Sequence, residues 1–318
     1  MAQTKTVVGI DIAKDKVDVA LRCVAGRASF ENRPKGRREL VRWLRQHEVD
    51  TAVMEASGGY EGPWAKLLRA EGIEVRVVDP RRVRQFARSA GRLAKNNPID
   101  AAMIAWFAET FCDAVGRPGD ERREELDGLV SARMALKALQ AQLANYGEHD
   151  RPAEVRQAHR AIARTVAAQL VKLEAAIGVR IERTDQFAKR AAIIESVPGL
   201  AAGSAAGLIA FMPELGCVNG KAAAALLGVA PYDDDSGKHR GRRFIKGGRG
   251  KLRQLLYLPI VGAATRHNPV LNAYYRRLIA NGKPAKVALI ACMRKLIVIL
   301  NTMIARRQTW DPTKHAPA

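Results

Sequence analysis

Three carboxylates in the first third of the chain stand where the local sequence changes character. Asp11 sits inside the apolar run Val7-Val8-Gly9-Ile10-Asp11-Ile12-Ala13, Glu55 closes Thr51-Ala52-Val53-Met54-Glu55, and Asp100 follows Asn97-Pro98-Ile99. A charge in a buried strand is costly unless something pairs with it, and a metal ion is one such partner. Carboxylate oxygens suit Mg²⁺ or Mn²⁺, which keep waters and bind substrate phosphates. Such ions stabilise the attacking and leaving oxygens of a phosphoryl transfer. Each residue also has a structural reading. Asp100 could cap a helix, and Glu55 could begin a turn at Ser57-Gly58-Gly59. Asp11 is the hardest to explain that way.

A second constellation lies far along the chain, in Tyr232-Asp233-Asp234-Asp235-Ser236-Gly237-Lys238-His239-Arg240-Gly241-Arg242-Arg243. Its glycines predict a mobile loop. Lys238, Arg240, Arg242 and Arg243, with Lys246 and Arg249 beyond them, are candidate nucleic-acid contacts. A serine hydroxyl placed there could attack phosphorus and form a covalent ester, splitting a transesterification into two steps. From chemistry alone, a solvated polar loop with an ordinary serine is the better reading. His239 fits either a proton shuttle or a phosphate contact. Upstream, Val197-Pro198-Gly199-Leu200 separates two helical patterns as in a helix–hairpin–helix, where the Gly199 backbone can approach a phosphate closely. A Pro-Gly turn between two helices is also common for structural reasons.

The elements that must position these residues read as three segments. Residues 1–117 show strand patterns at Thr6–Ile12, Val17–Arg22, Ala28–Asn32, Thr51–Glu55 and Glu74–Asp79. Helical patterns fall at Arg37–His47, Gly62–Ala70, Arg81–Arg88 and Ile99–Phe111. Three early strands followed by alternating helix and strand predict a mixed α/β sheet. Residues 118–190 carry no strand signal. Leu129, Leu136 and Leu143 recur at seven, and Ile162, Val166, Leu170, Leu173, Ile177 and Ile181 at three and four. That spacing predicts an antiparallel helical hairpin or coiled coil that contributes to oligomerisation. Residues 191–318 read as mainly helical, ending in a long apolar helix over Lys286–Arg306.

Composition narrows the class. The net charge of +21 implies a polyanionic partner, most often nucleic acid. It is segregated: from Ser236 onward eighteen Lys and Arg face a single acid, Asp311. A phosphate-binding surface needs such segregation, because each neutralised phosphate releases counterions. Cys23, Cys112, Cys217 and Cys292 are scattered, without metal spacing, and read as buried thiols of a cytosolic protein. The first residues read as a strand with lysines, not a signal peptide, and no apolar run is expected to reach membrane-span length.

The residues taken together resemble a known family. GIDIAKDKVDVAL with Asp11, VMEASGGY with Glu55, AKNNPIDA with Asp100, VPGL at Val197–Leu200 and APYDDDSGKHRGRR at Ala230–Arg243 are similar to the DEDD transposases of insertion sequence family 110. So is RHNPVLNAYYRRLIANGKPAKVALIACMRKL at Arg266–Leu296. The likeness covers nearly the whole chain in order. It implies a RuvC-like, RNase H-fold first domain, a coiled-coil insertion and a mainly helical C-terminal transposase domain. It implies Mg²⁺ or Mn²⁺ held by the acidic residues, and a nucleophilic serine that maps to Ser236. It also implies target and donor DNA, a guide (bridge) RNA that pairs with both, and a dimer or tetramer in which acidic and serine sites meet across protomers.

One position departs from the family pattern, which has a further aspartate three residues before the last; here it is Asn97. An amide carbonyl can ligate a cation but brings no charge, so a weakened Mg²⁺ site is expected. The expected activity is RNA-guided DNA strand cutting and exchange through a phosphoserine. The rivals are a metal-only junction nuclease with Ser236 idle, and a non-enzymatic nucleic-acid-binding protein.

Overall fold

The computed structural model describes residues 6–22, 26–92, 97–111, 120–147, 152–235, 241 and 243–315. Alternation decides its first sheet. In β1 (Val7–Ile12), Val8, Ile10 and Ile12 are buried in one core, while Gly9 and Asp11 belong to the opposite face. Four more strands join it: β2 (Lys16–Leu21), β3 (Arg27–Glu31), β4 (Thr51–Glu55) and β5 (Glu74–Val78). Their order is β3-β2-β1-β4-β5. The β1–β2 and β2–β3 pairs are antiparallel, whereas β1–β4 and β4–β5 are parallel.

Helices cover both faces. Val8, Ile10 and Met54 pack with Leu40 and Leu44 of α1 (Pro34–Gln46) and Trp64 and Leu68 of α2 (Glu61–Ala70). On the other face Val53 packs with Val83 and Ala87 of α3 (Pro80–Ser89) and Ile104 and Phe107 of α4 (Asn97–Thr110). Three layers with three antiparallel strands and two parallel ones form the RuvC-like, RNase H-type arrangement that the sequence led us to expect. Strand limits agree with expectation to within a residue. The helix α4 begins earlier than its apolar pattern, at Asn97, so Asp100 lies inside the first turn and is not its cap.

By contacts the chain divides into two compact units, Met1–Glu121 and Arg122–Ala318. The second is helical: α5 (Glu121–Gly147), α6 (Ala153–Glu182), α7 (Asp185–Glu195), α8 (Ala202–Phe211), α9 (Gly220–Leu227), α10 (Gly250–Gly262), α11 (Pro269–Ala280) and α12 (Ala285–Arg306). Between α9 and α10 stands a two-stranded ribbon, β6 (Pro231–Tyr232) and β7 (Phe244–Ile245), and α10 runs into a π turn at Ala263–His267. The helices α5 and α6 run antiparallel, as the pairs Arg180–Glu125 (3.0 Å) and Arg133–Glu174 (2.8 Å) require. Leu126 and Val130 of α5 and Ile177 and Ile181 of α6 join the core of the unit. The heptad leucines Leu129, Leu136 and Leu143 are only half-buried.

Two expectations need correction. The helix α12 is both long and apolar enough to cross a membrane, contrary to the reading that no run approaches that length. Its apolarity has another cause: Ala288, Leu289, Cys292, Met293, Leu296, Ile297, Leu300 and Met303 are buried, and all but Ala288 belong to the core of the second unit. The cysteines are not all buried. Cys292 is, and burial raises its thiol to about 11, but Cys217 is exposed in the turn between α8 and α9. Cys23 and Cys112 lie outside the described residues.

Candidate metal and nucleic-acid site

The strand registers bring the acidic residues to one end of one sheet face. In β1 and β4, Gly9 pairs with Val53 and Ile10 with Met54. One step further along the parallel ladder come Asp11 and Glu55, on the face that holds Val53 and α4. The direction of α4 is fixed at its far end. Arg22, whose backbone N–H donates to Val7 O, donates from Nε to Glu109 at 2.6 Å and lies over the Trp106 ring. The C-terminal turns of α4 therefore sit over the start of β1. Its first turn, with Asn97 and Asp100, sits over the end of β1, near Asp11.

Gly9 makes this approach possible. A Cβ there would fall 2.1 Å from the Ala101 carbonyl oxygen and 2.5 Å from the Ala105 nitrogen. Sequence reasoning passed over Gly9, although glycine inside a strand marks a close backbone approach. It also passed over Glu61. The Glu61 carboxylate accepts from Ser57 N (3.0 Å), Ser57 Oγ (3.2 Å) and Gly59 N (2.9 Å), so it orders the turn that follows Glu55. Gly58 and Gly59 hold φ of 71° and 105°, which other residues adopt at a cost. On the other side Asn32 pins the β1–β2 turn. Its side-chain amide donates to Ala13 O at 2.9 Å and accepts from Trp64 Nε1 at 2.8 Å.

Asp11, Glu55 and Asp100 each engage in polar contacts within the molecule. Among the described residues, no three His, Cys, Asp or Glu side chains close into a ready-made metal cage. Mg²⁺ in phosphoryl transfer does not need one, since it is held by one or two carboxylates, waters and the phosphates of the substrate. Hard oxygen donors at adjoining strand ends beneath one helix terminus fit such an ion. The side chain of Asn97 lies outside the described residues.

The basic loop belongs to the second unit, and its ends are tied. Strands β6 and β7 pair Tyr232 with Phe244, which holds the two flanks of the basic segment side by side. Arg253 donates to the carbonyls of Leu227, Gly228 and Gly247 at 3.3, 3.0 and 3.2 Å, clamping the base of the ribbon. Ser236, Lys238, Arg240 and Arg242 lie outside the described residues. The flanking cations are already engaged. Arg243 lies 2.5 Å from Asp233, and Lys246 lies 3.8 Å from Asp234, all four exposed.

Two expected nucleic-acid contacts have internal explanations. Arg249 makes a bidentate pair with Glu214, at 2.7 and 2.6 Å. Burial alone would raise the Glu214 carboxyl, but the hydrogen bonds and charge of Arg249 outweigh it and hold that carboxyl below its ordinary range. Gly199 has φ of 95°, and a Cβ there would fall 2.6 Å from Ala263 Cβ. Close packing against the π turn already demands glycine, without a phosphate.

Comparison with known proteins gives concordant matches. Residues 8–147 match the family model for DEDD transposases of IS110, described as a transposase, and residues 191–276 match that described as "Transposase IS116/IS110/IS902 family". The pilin gene-inverting proteins of Moraxella lacunata and Moraxella bovis are each 24% identical over 335 residues, covering 98% of this chain and 99% of the relative. The Thermus thermophilus RuvC structure aligns over 36% of this chain and 99% of its own, with 14% identity and a TM-score of 0.30.

Proposed function

The chain belongs to the IS110 family of DEDD transposases, and from that premise we propose that it is an RNA-guided DNA recombinase working through a phosphoserine. The Ser236 oxygen attacks a DNA phosphorus, the P–O bond to one strand end breaks, and the freed sugar oxygen takes up a proton. The other strand end stays on the protein as a phosphoserine until a second sugar hydroxyl displaces it. Asp11, Glu55 and Asp100, with the Asn97 carbonyl, hold Mg²⁺, which supplies charge stabilisation at the reacting phosphate. Lys238, Arg240, Arg242 and Arg243 neutralise the charge that develops there.

The observation that carries this reading is the close approach of α4 at Gly9, which brings the Asp100 turn to the strand ends bearing Asp11 and Glu55. Relatives named for inverting a gene agree with an enzyme that rearranges DNA. Target and donor choice then lies in a guide RNA, while the protein reads backbone and shape. RNA recovered with the chain from its host and sequenced should be one defined non-coding species.

The phosphoserine step has a direct test. Incubated with Mg²⁺, RNA and labelled DNA, the protein should give a covalent protein–DNA adduct on a denaturing gel, and Ser236→Ala should give none. An adduct persisting in Ser236→Ala would sink the assignment. Free DNA ends without any adduct would favour the metal-only nuclease. Binding indifferent to both Mg²⁺ and Ser236 would leave a nucleic-acid-binding protein.

A further inference from the structure

The hairpin of α5 and α6 divides its charge unequally. Near its root the two helices pair across one another, Arg180 with Glu125 and Arg133 with Glu174. Further out, from Met134 to Leu173, the described residues carry Lys137, Arg156, Arg160, Arg164 and Lys172 against one acid, Glu154. Arg160 and Arg164 make no ion pair among the described residues. The same distal end holds a cavity of about 220 Å³ between the helices. Its lining includes Leu143 and Tyr146 of α5 and Arg156, His159, Arg160 and Ala163 of α6. Tyr146 is 54% exposed although it borders the neighbouring helix. Its ring lies 5.8 Å from the His159 ring and is tilted to it by 47°. The pair is neither stacked nor edge-to-face, which leaves ring surface for a third planar group.

Open aromatic surface beside a guanidinium that lacks an acid matches one kind of ligand, a planar ring joined to an anion. The volume is below the roughly 300–1,000 Å³ of pockets that enclose a drug-sized molecule. A duplex keeps its base faces stacked inside, whereas an unpaired nucleotide offers both a free face and a phosphate. We propose that this cavity receives one unpaired base of a nucleic-acid single strand, stacked against Tyr146 and His159, while Arg160 pairs with its phosphate. RNA and DNA single strands share that chemistry. The inference rests only on the chain's binding nucleic acid, and it needs neither the acidic face nor Ser236.

The test is photo-crosslinking of the full chain to single-stranded oligonucleotides carrying 5-iodouracil, one RNA and one DNA, with the attachment points mapped by mass spectrometry. Attachment at Tyr146 or His159 is expected, from RNA, from DNA or from both according to the source. Tyr146→Leu should remove it and weaken single-strand binding by about tenfold, with duplex binding unchanged. Tyr146→Phe, which keeps the ring, should hold wild-type affinity. Arg160→Gln should lower the salt slope for the single strand by about 0.7. Attachment confined to other segments, or wild-type affinity in Tyr146→Leu, overturns the proposal. Duplex binding with no single-strand binding also overturns it and leaves the recombinase reading standing. Should Tyr146→Leu lose helix by circular dichroism, the attachment map of the wild type decides alone.

Discussion

In the proposed Mg²⁺ site, a single amide would set the strength of the acidic face. At Asn97 the chain keeps the shape of a carboxylate and drops its charge, and Mg²⁺ affinity follows charge count among hard oxygen donors. Asn97 opens α4, the helix whose first turn lies toward Asp11. Restoring the carboxylate by Asn97→Asp should therefore raise Mg²⁺-dependent DNA strand exchange by about tenfold. The measurement is an exchange assay over a Mg²⁺ series. A variant no faster than wild type at any Mg²⁺ concentration would count against a weakened site.

At the scale of elements, the contact between β1 and α4 decides whether the acids meet at all. A Cβ at Gly9 would run into the Ala101 oxygen and the Ala105 nitrogen, which are backbone atoms and cannot turn aside as a side chain would. Gly9→Ala should destabilise the first unit by about 1–3 kcal/mol, the usual cost of overpacking, and should weaken Mn²⁺ binding in the fraction that folds. Denaturant melts give the first quantity and metal titration the second. Wild-type values for both would mean that α4 stands further from β1 than its packing indicates. The ribbon of β6 and β7 has the corresponding task in the second unit. It draws the ends of the serine loop together, and Arg253 locks its base through three backbone carbonyls.

For the whole molecule, the charge surplus after Ser236 is expected to govern how it holds DNA. Binding should weaken linearly in log–log plots against salt as counterions are released. Arg243 and Lys246 pair with Asp233 and Asp234 at the surface, and exposed pairs of this kind are weak. A phosphate can therefore replace either aspartate. Arg243→Gln and Lys246→Gln should each lower the salt slope for duplex DNA by about 0.9, read by fluorescence anisotropy. Unchanged slopes would mean that these cations stay with their aspartates. Arg249, held by Glu214 through two hydrogen bonds, is expected to contribute to folding in place of the slope.

Much of this was legible in the chain itself, because local rules carry it. Alternating apolar residues gave β1 to β5, and Pro80 stops β5 and opens α3 with Asp79 as its cap. The carboxylates Asp11 and Glu55 could be placed at strand ends by pattern alone. What sequence could not supply is which residues stand opposite one another. Asp18 looked like any polar residue of an alternating strand until the β1–β2 register set it across from Asp11. Arg249 read as one more cation until Glu214, distant in sequence, was found against it. The apolar α12 satisfied the length and composition of a membrane span until its neighbours proved to be a protein core. Residue type and spacing determine what an element is. Its partners are chosen by long-range packing, where register and close approach decide whether a buried charge has an ally, a rival or a metal.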